Sequence, residues 1–395
     1  MTVARRYAPG LARREELVDA ARDLFAAEGF GGVSLRAIAA RAGLSHASLL
    51  RYFASKDDLL LALLSRWEDA NMAWFQEHAD LPPATTIPAL ARRNAATPGY
   101  VALFAALAGE AASSSHPAHD HLRRRYRQMR GLKHRDRDDD LRINAAWDGL
   151  QVMSLYLDEI DVAEELAAYF ARTPAHGPCA DLDADPPAAE AGMTVRLPDV
   201  PTADEAGYAP GRERRARIID SATELFGERG FASTSLKDIA ARVGSSKSTL
   251  LHHFGSKDVL LADVLARRDE RLNEPALNPL PPREFMRNAA DGARVNAERP
   301  GLVELYTVLS GEATAAGHPA HRYFTKRFHW AIHHFAVAFG LLQESGQIGA
   351  ERDPRTEAVW FVALWDGLQV QWLYDPDEVD IAAELRAHLE RVLTR

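Results

Sequence analysis

Two short sets of polar residues stand at matching places in this chain. His46, Ser48, Arg51 and Tyr52 follow Gly43-Leu44-Ser45, and Lys247, Thr249, His252 and His253 follow Gly244-Ser245-Ser246. Lys56 and Lys257 come just after each set. Hydroxyl, imidazole, guanidinium and ammonium groups of this kind read base edges and hold phosphate oxygens of nucleic acid. No Gly-rich phosphate loop, nucleophile elbow or defined pair of carboxylates accompanies them, so no catalytic residue is expected.

The surrounding residues explain how the sets would be presented. Leu35 to Ala42 reads as a short helix capped by Ser34, and His46 to Phe53 as a second helix capped by Ser45. Gly43 suits the left-handed residue of a tight turn between them. Ile38, Ala39, Leu49 and Phe53 face inward and lock the pair, which leaves the polar set outside. Leu236 to Val243 and Lys247 to Phe254, capped by Ser235 and Ser246, read the same way. Each pair is a helix-turn-helix, whose second helix enters a major groove. The capped starts at Ser34 and Ser235 can offer backbone N–H groups to phosphate. Arg5-Arg6 and Arg212, Arg214-Arg215 are candidates for arms along the duplex. A longer helix precedes each pair. Its apolar stripe is Leu17, Ala20, Ala21, Leu24 and Phe25, or Ile218, Ala222, Leu225 and Phe226, and it ends at Gly29 or Gly230.

The matching is a domain-scale duplication. Tyr7-Ala8-Pro9-Gly10 returns as Tyr208-Ala209-Pro210-Gly211. Further on, His116-Pro117-Ala118-His119 returns as His318-Pro319-Ala320-His321, and Trp147-Asp148-Gly149-Leu150 as Trp365-Asp366-Gly367-Leu368. The first copy is about sixteen residues shorter before Trp147, about four helical turns. Its polar run Arg135 to Asp140 reads as loop. The expected domains are 1–60 and 208–261 as heads and 61–172 and 262–395 as bodies. The Pro- and Ala-rich stretch 173–207 reads as a flexible linker.

The runs SLRAIAARAGLSHASLLRYFASKDDLL and SLKDIAARVGSSKSTLLHHFGSKDVLL resemble the DNA-binding head of the TetR family of one-component regulators. Leu50 and Leu251 stand where family heads often carry a tyrosine that contacts phosphate. Tyr52 matches the family's second aromatic, which His253 replaces in the second copy. The resemblance implies an all-α fold of two TetR-like units, each a small head plus a helical-bundle body for ligand binding and dimerisation. Family members typically pair two chains, so this one looks like an intramolecular pseudo-dimer; further association of whole chains is left open.

Composition agrees with that reading. The formal net charge is -9 over 395 residues, yet residues 1–56 and 208–257 each carry nine basic against five acidic groups. Two basic heads on an acidic body suit local attraction to a polyanion. The single cysteine, Cys179, fits a reducing cytosol, and no apolar run is long enough for a membrane span, so a cytoplasmic location is expected. His116/His119 and His318/His321 read as helix starts beside proline rather than metal ligands, and no cofactor is expected. Asp148 and Asp366 read as capping or interhelix hydrogen-bonding residues.

The function expected is a ligand-responsive transcriptional regulator, a repressor released from double-stranded operator DNA by a small apolar or aromatic effector. Copy two, with its full helix set, is the expected sensor, and Trp330, Phe335, Phe339, Trp360, Trp365 and Trp372 are the expected ligand-binding residues. The alternative is a helical scaffold, or a helical enzyme, that keeps the heads only as structure.

Overall fold

A computed structural model of the chain describes residues 4–130, 137–172, 180–183, 193, 209–272, 280–299 and 301–393. The described residues form eighteen helices and no strands beyond two isolated bridges. The first unit holds α1 (Ala4–Gly32), α2 (Leu35–Arg41), α3 (His46–Leu49), α4 (Lys56–Glu77), α5 (Pro83–Ala96), α6 (Tyr100–Glu110), α7 (His119–Arg130), α8 (Arg137–Ser154) and α9 (Val162–Arg172). The second repeats this order with α10 (Ala209–Arg229), α11 (Leu236–Arg242), α12 (Lys247–Phe254), α13 (Lys257–Leu272), α14 (Pro282–Ala297), α15 (Leu302–Glu312), α16 (His321–Glu344), α17 (Pro354–Tyr374) and α18 (Ile381–Val392).

Each head is α1–α3 or α10–α12 packed on the start of the next helix. Leu17, Phe25, Ile38, Leu49, Phe53, Leu59 and Leu60 are all buried in one core, with Ile218, Phe226, Ile239, Leu250, Phe254, Leu260 and Leu261 their counterparts. The expected head–body limits at 60/61 and 261/262 fall inside α4 and α13. No break separates head from body there: α4 carries Leu59 into the head core and Trp67 onto Tyr100 of α6, ring centroids 4.9 Å apart.

The two units meet through equivalent helices, α6 against α15 and α8 against α17. Small residues let the backbones touch. A Cβ added at Gly149 would overlap the carbonyl of Ala363, and one added at Gly367 would overlap that of Ala145. Gly109 faces Thr307 and Val308, while Gly311 faces Ala105 and Ala106. Each contact therefore has its reciprocal, the mark of an isologous interface written into one chain. Two tyrosines cross it in the same sense. Tyr156 donates its hydroxyl to the Ser310 carbonyl (2.6 Å) and Tyr374 to the Ala108 carbonyl (3.0 Å). Tyr156 stacks on His321 and Tyr374 on His119. Val370 and Tyr374 of α17 belong to the core of the first head and body, so the two units share packing.

In the bodies and the stretch that joins them the structure departs from the sequence reading twice, and it places the missing turns of copy one. The run expected as loop is in part helix: Arg137 to Asp140 begin α8, and Asp139 and Asp140 are buried. Asp139 pairs with Arg142 and Arg391, so its charge is matched inside the fold; residues 131–136 lie outside the described part. The missing turns of copy one fall before α8: the described part of α7 has 12 residues, against 24 in α16. The described part of 173–207 is docked on the second unit rather than free. Leu182 is 1% exposed, Met193 pairs with Leu280, and Arg386 holds Asp183. The rest of that stretch, Cys179 included, lies outside the described residues.

Candidate nucleic-acid interface

Local sequence sets the geometry of each head. Ser34 accepts the Ala37 N–H (3.2 Å) and Ser45 the Ser48 N–H (3.1 Å). Ser235 accepts from Asp238 and Ser246 from Thr249 in the same way, and Asp238 returns a bond to the Ser235 N–H, a capping box. Gly43 at φ +66 and Gly244 at φ +62 turn the chain between the helices, with no neighbour that a side chain would strike. Only the backbone angle demands glycine there.

The second helices differ in length. α12 runs to Phe254 and closes on Gly255 at φ +72, whereas α3 stops at Leu49 and tightens, Arg51 bonding Ser48 and Tyr52 bonding Leu49. Ala54 stands where the second head has Gly255, and an alanine has no easy left-handed exit. The expected helix to Phe53 is therefore shorter, although its residues still form one outward face. Arg51 and Tyr52 are exposed in the first head, with His46 and Ser48 half-buried beside them. Lys247 and His252 are exposed in the second, with Thr249 and His253 half-buried. Burial, then the charges of His252, Arg214 and Arg215, holds the His253 imidazole below its usual range. Its neutral form favours direct hydrogen bonding over a charge contact.

The two lysines expected to clamp phosphate are turned inward. Lys56 Nζ donates to the carbonyls of Phe30 (2.7 Å) and Val33 (2.9 Å) and sits over the Phe30 ring at 4.3 Å. Lys257 Nζ does the same with Phe231 (2.9 Å), Thr234 (3.1 Å) and the Phe231 ring. Each ammonium satisfies two carbonyls of the turn that joins the long helix to the first turn-motif helix, and so fixes that turn. Burial lowers both lysine pKa values. The expected arms also change. Arg215 pairs with Asp263 and covers the Phe254 ring at 4.9 Å, so it is part of the fold; Arg214 is exposed. The side chains of Arg5, Arg6 and Arg212 lie outside the described residues.

Sequence reasoning passed over Arg36 and Lys237. Both are exposed at the second residue of the first turn-motif helix, α2 or α11. The first helix of this motif crosses the phosphate backbone, so a cation there is well placed. The signal was available: a basic residue at one repeat position in both copies.

Behind the heads, Glu312 at the end of α15 accepts the backbone N–H groups of Phe231 and Ala232, beside Gly230 at φ +77. A Cβ at Gly230 would come within 2.8 Å of the Glu312 carboxylate. Glu110, its counterpart, lies beside Gly29, and burial and the Glu312 charge push its carboxyl up to about 7. His116 and His318 pack edge-on against Phe30 and Phe231. Burial pushes both imidazoles down to about 4. Among the described residues no group of three or more His, Cys, Asp or Glu is arranged to hold a metal ion.

The expected ligand residues do not share one wall. Trp360 is fully buried and stacks on Tyr169 of the first unit, ring centroids 3.8 Å apart, so it packs where the two units meet. Phe335, Phe339 and Trp365 form a filled aromatic cluster with Phe361. Phe285 joins it, a residue the periodicity did not single out. Trp330 packs at a tilt on His334 of the same helix, and Trp372 is half-buried. A cavity of about 20 Å³ lies instead between the units, lined by Asp148, Gly149, Tyr306, Thr307 and Asp366. That is room for about one water molecule. Burial pushes the Asp148 and Asp366 carboxyls up to about 7, against the pull of Arg125 and Arg327. They are buried interhelix groups, as the sequence reading had them: Asp366 accepts the Tyr306 hydroxyl at 3.3 Å.

Comparison with known proteins bears on the same segments. A family model of bacterial regulatory proteins of the tetR family matches residues 17–63 and again 218–264. One described as BetI-type transcriptional repressor, C-terminal, matches 308–395. The HTH-type transcriptional repressor Rv3405c of Mycobacterium tuberculosis is 38% identical over 100 residues, 25% of this chain and 50% of that protein. The probable HTH-type transcriptional regulator ArpR of Pseudomonas putida is 26% identical over 209 residues, 44% of this chain and 87% of that one. The chain thus spans about half the length of the first of these relatives. A solved structure described as a putative TetR-family transcriptional regulator from Rhodococcus sp. is 24% identical, covers 46% of this chain and 100% of its own, and superposes with a TM-score of 0.37. Among the described residues no helix is long and apolar enough to cross a membrane.

Proposed function

The chain belongs to the TetR family of bacterial regulatory proteins, in a tandem form with two heads on one polypeptide, and on that premise we propose that it is a transcriptional regulator that grips one operator with both heads. The observation that carries the proposal is the reciprocal contact of Gly149 with Ala363 and Gly367 with Ala145, which supports reading the two bodies as an intramolecular pseudo-dimer. Such a joint fixes where its heads stand, and two recognition helices must sit about 34–36 Å apart to enter successive major grooves on one face of DNA. Ser34, Ser45, Ser235 and Ser246 cap the helices whose N–H groups meet phosphate. His46, Ser48, Arg51 and Tyr52 read one half-site, and Lys247, Thr249, His252 and His253 the other. Because the two sets differ, the operator is an imperfect palindrome. Lys56 and Lys257 act indirectly, by holding the heads in shape.

The regulator is a repressor, and an apolar or aromatic effector releases it. The second body is the sensor. The effector enters by replacing ring contacts among Phe335, Phe339, Phe361 and Trp365, and it favours the form whose head spacing does not match DNA. The test is a fluorescence-anisotropy titration of full-length protein on duplexes recovered by in-vitro selection, repeated across salt concentrations. Arg51→Ala and Lys247→Ala are each expected to weaken binding and to lower the salt slope by about one, with helicity unchanged. Recovery of no duplex above background refutes the DNA-binding reading and leaves the scaffold alternative; variants that bind as the parent does refute the placement of Arg51 and Lys247 on the contact face.

A further inference from the structure

Leucine is an odd residue on an otherwise polar reading face. Leu50 is 43% exposed and Leu251 39% exposed, each next to a fully buried leucine, Leu49 or Leu250, that locks its helix into the head. The exposure is therefore a fixed orientation of the helix and not looseness. A leucine has no donor or acceptor, so it can neither hold a phosphate nor bond a base edge. The major groove offers one apolar partner, the C5-methyl group of thymine. The polar residues around the leucines differ between the heads: His46 against Lys247, Arg51 against His252, Tyr52 against His253. The leucine is the same in both.

We propose that Leu50 and Leu251 each cover a thymine methyl group, so that the two half-sites share a thymine at pseudo-dyad-related positions and differ in the bases around it. This inference rests on the DNA-binding reading and specifies what that reading leaves open. Burying one methyl group is worth about three- to fourfold in affinity.

The experiment uses the full-length chain and the duplexes that in-vitro selection recovers. Each thymine is replaced in turn by deoxyuridine, which pairs identically and lacks only the methyl group. One position in each half-site is expected to weaken binding about three- to fourfold. Leu50→Ala is expected to abolish the effect in one half-site only and Leu251→Ala in the other, with unchanged melting because both side chains are exposed. Tight binding to a selected duplex with deoxyuridine neutral at every position overturns the inference and leaves DNA binding standing. So does a methyl effect that survives in both leucine variants. Failure to select any duplex overturns the DNA-binding reading itself, and the inference falls with it.

Discussion

Replacing Gly367 by alanine tests the joint on which the proposed regulator depends. The substitution should help α17 on its own, since alanine is favoured over glycine inside a helix by about 1 kcal/mol. The tertiary contact reverses that gain. The added Cβ would overlap the Ala145 carbonyl, and the atom it meets is backbone, which cannot rotate away. α8 and α17 must part by roughly 1 Å, and a gap of that size forfeits up to half of each dispersion contact across it. Overpacking of this kind costs about 1–3 kcal/mol, and a backbone clash belongs at the upper end. The net expectation is a loss of about 2 kcal/mol in chemical denaturation of the full chain. Gly149→Ala should cost a similar amount at the Ala363 carbonyl. The two should be less than additive together, because one displacement relieves both. Gly292→Ala is the control: it lies inside α14 with nothing within 4 Å of the new methyl, and it should stabilise by up to about 1 kcal/mol. A Gly367→Ala protein as stable as Gly292→Ala would show that the two helices do not touch backbone to backbone, and the reciprocal joint would be refuted.

The pH dependence has a definite sign. Asp148 and Asp366 move from 3.8 to about 7, and Glu110 from 4.5 to about 7, so the folded chain holds more protons than the unfolded one between those values. Their contribution is complete at low pH and is lost as pH rises toward 7, by up to about 1.4 kcal/mol per pH unit and group. Asp148→Asn should flatten that slope in denaturation midpoints taken from pH 4 to 7. Asp375, 1% exposed and held at about 2 by Arg127, Arg130 and Arg123 against its burial, has the opposite sign; its contribution is lost as pH falls from 3.8 through about 2. Asp375→Asn leaves buried Arg130 without its partner and should cost about 3 kcal/mol by the same assay. Lys257→Met keeps the stem and removes two charge-assisted bonds to carbonyls, so the second head should lose about 2 kcal/mol and exchange its amide hydrogens faster near Phe231.

Much of the fold could be read from residues alone where the signal is local. Ser34, Ser45, Ser235 and Ser246 were legible as caps, Gly43 and Gly244 as turns, and the stripe through Leu17 and Phe25 as a buried helix face, because each depends on neighbours within one or two turns. Lys56 and Lys257 were not legible as structural. A lysine after a recognition helix looks like a phosphate clamp until the carbonyls of the turn after the long helix are seen folded back onto it, 26 residues away in sequence. Trp360 was legible only as a buried residue. Helical periodicity marks it as buried but cannot distinguish a pocket wall from the interface where Tyr169 meets it. Asp139 looked like solvated loop because one of its two arginine partners, Arg391, lies far along the chain.

The sequence by itself determined that the chain is helical, that it is double, and which side chains face outward on each recognition helix. Those properties follow from periodicity, caps and repetition, which act within a few residues. Only the tertiary structure decided that the two copies are bound face to face through reciprocal glycine contacts, that the lysines serve the heads, and that aromatic side chains fill the second body. These are matters of which distant surfaces meet and whether a gap is left between them, and a linear pattern of side-chain types carries no distance between its parts.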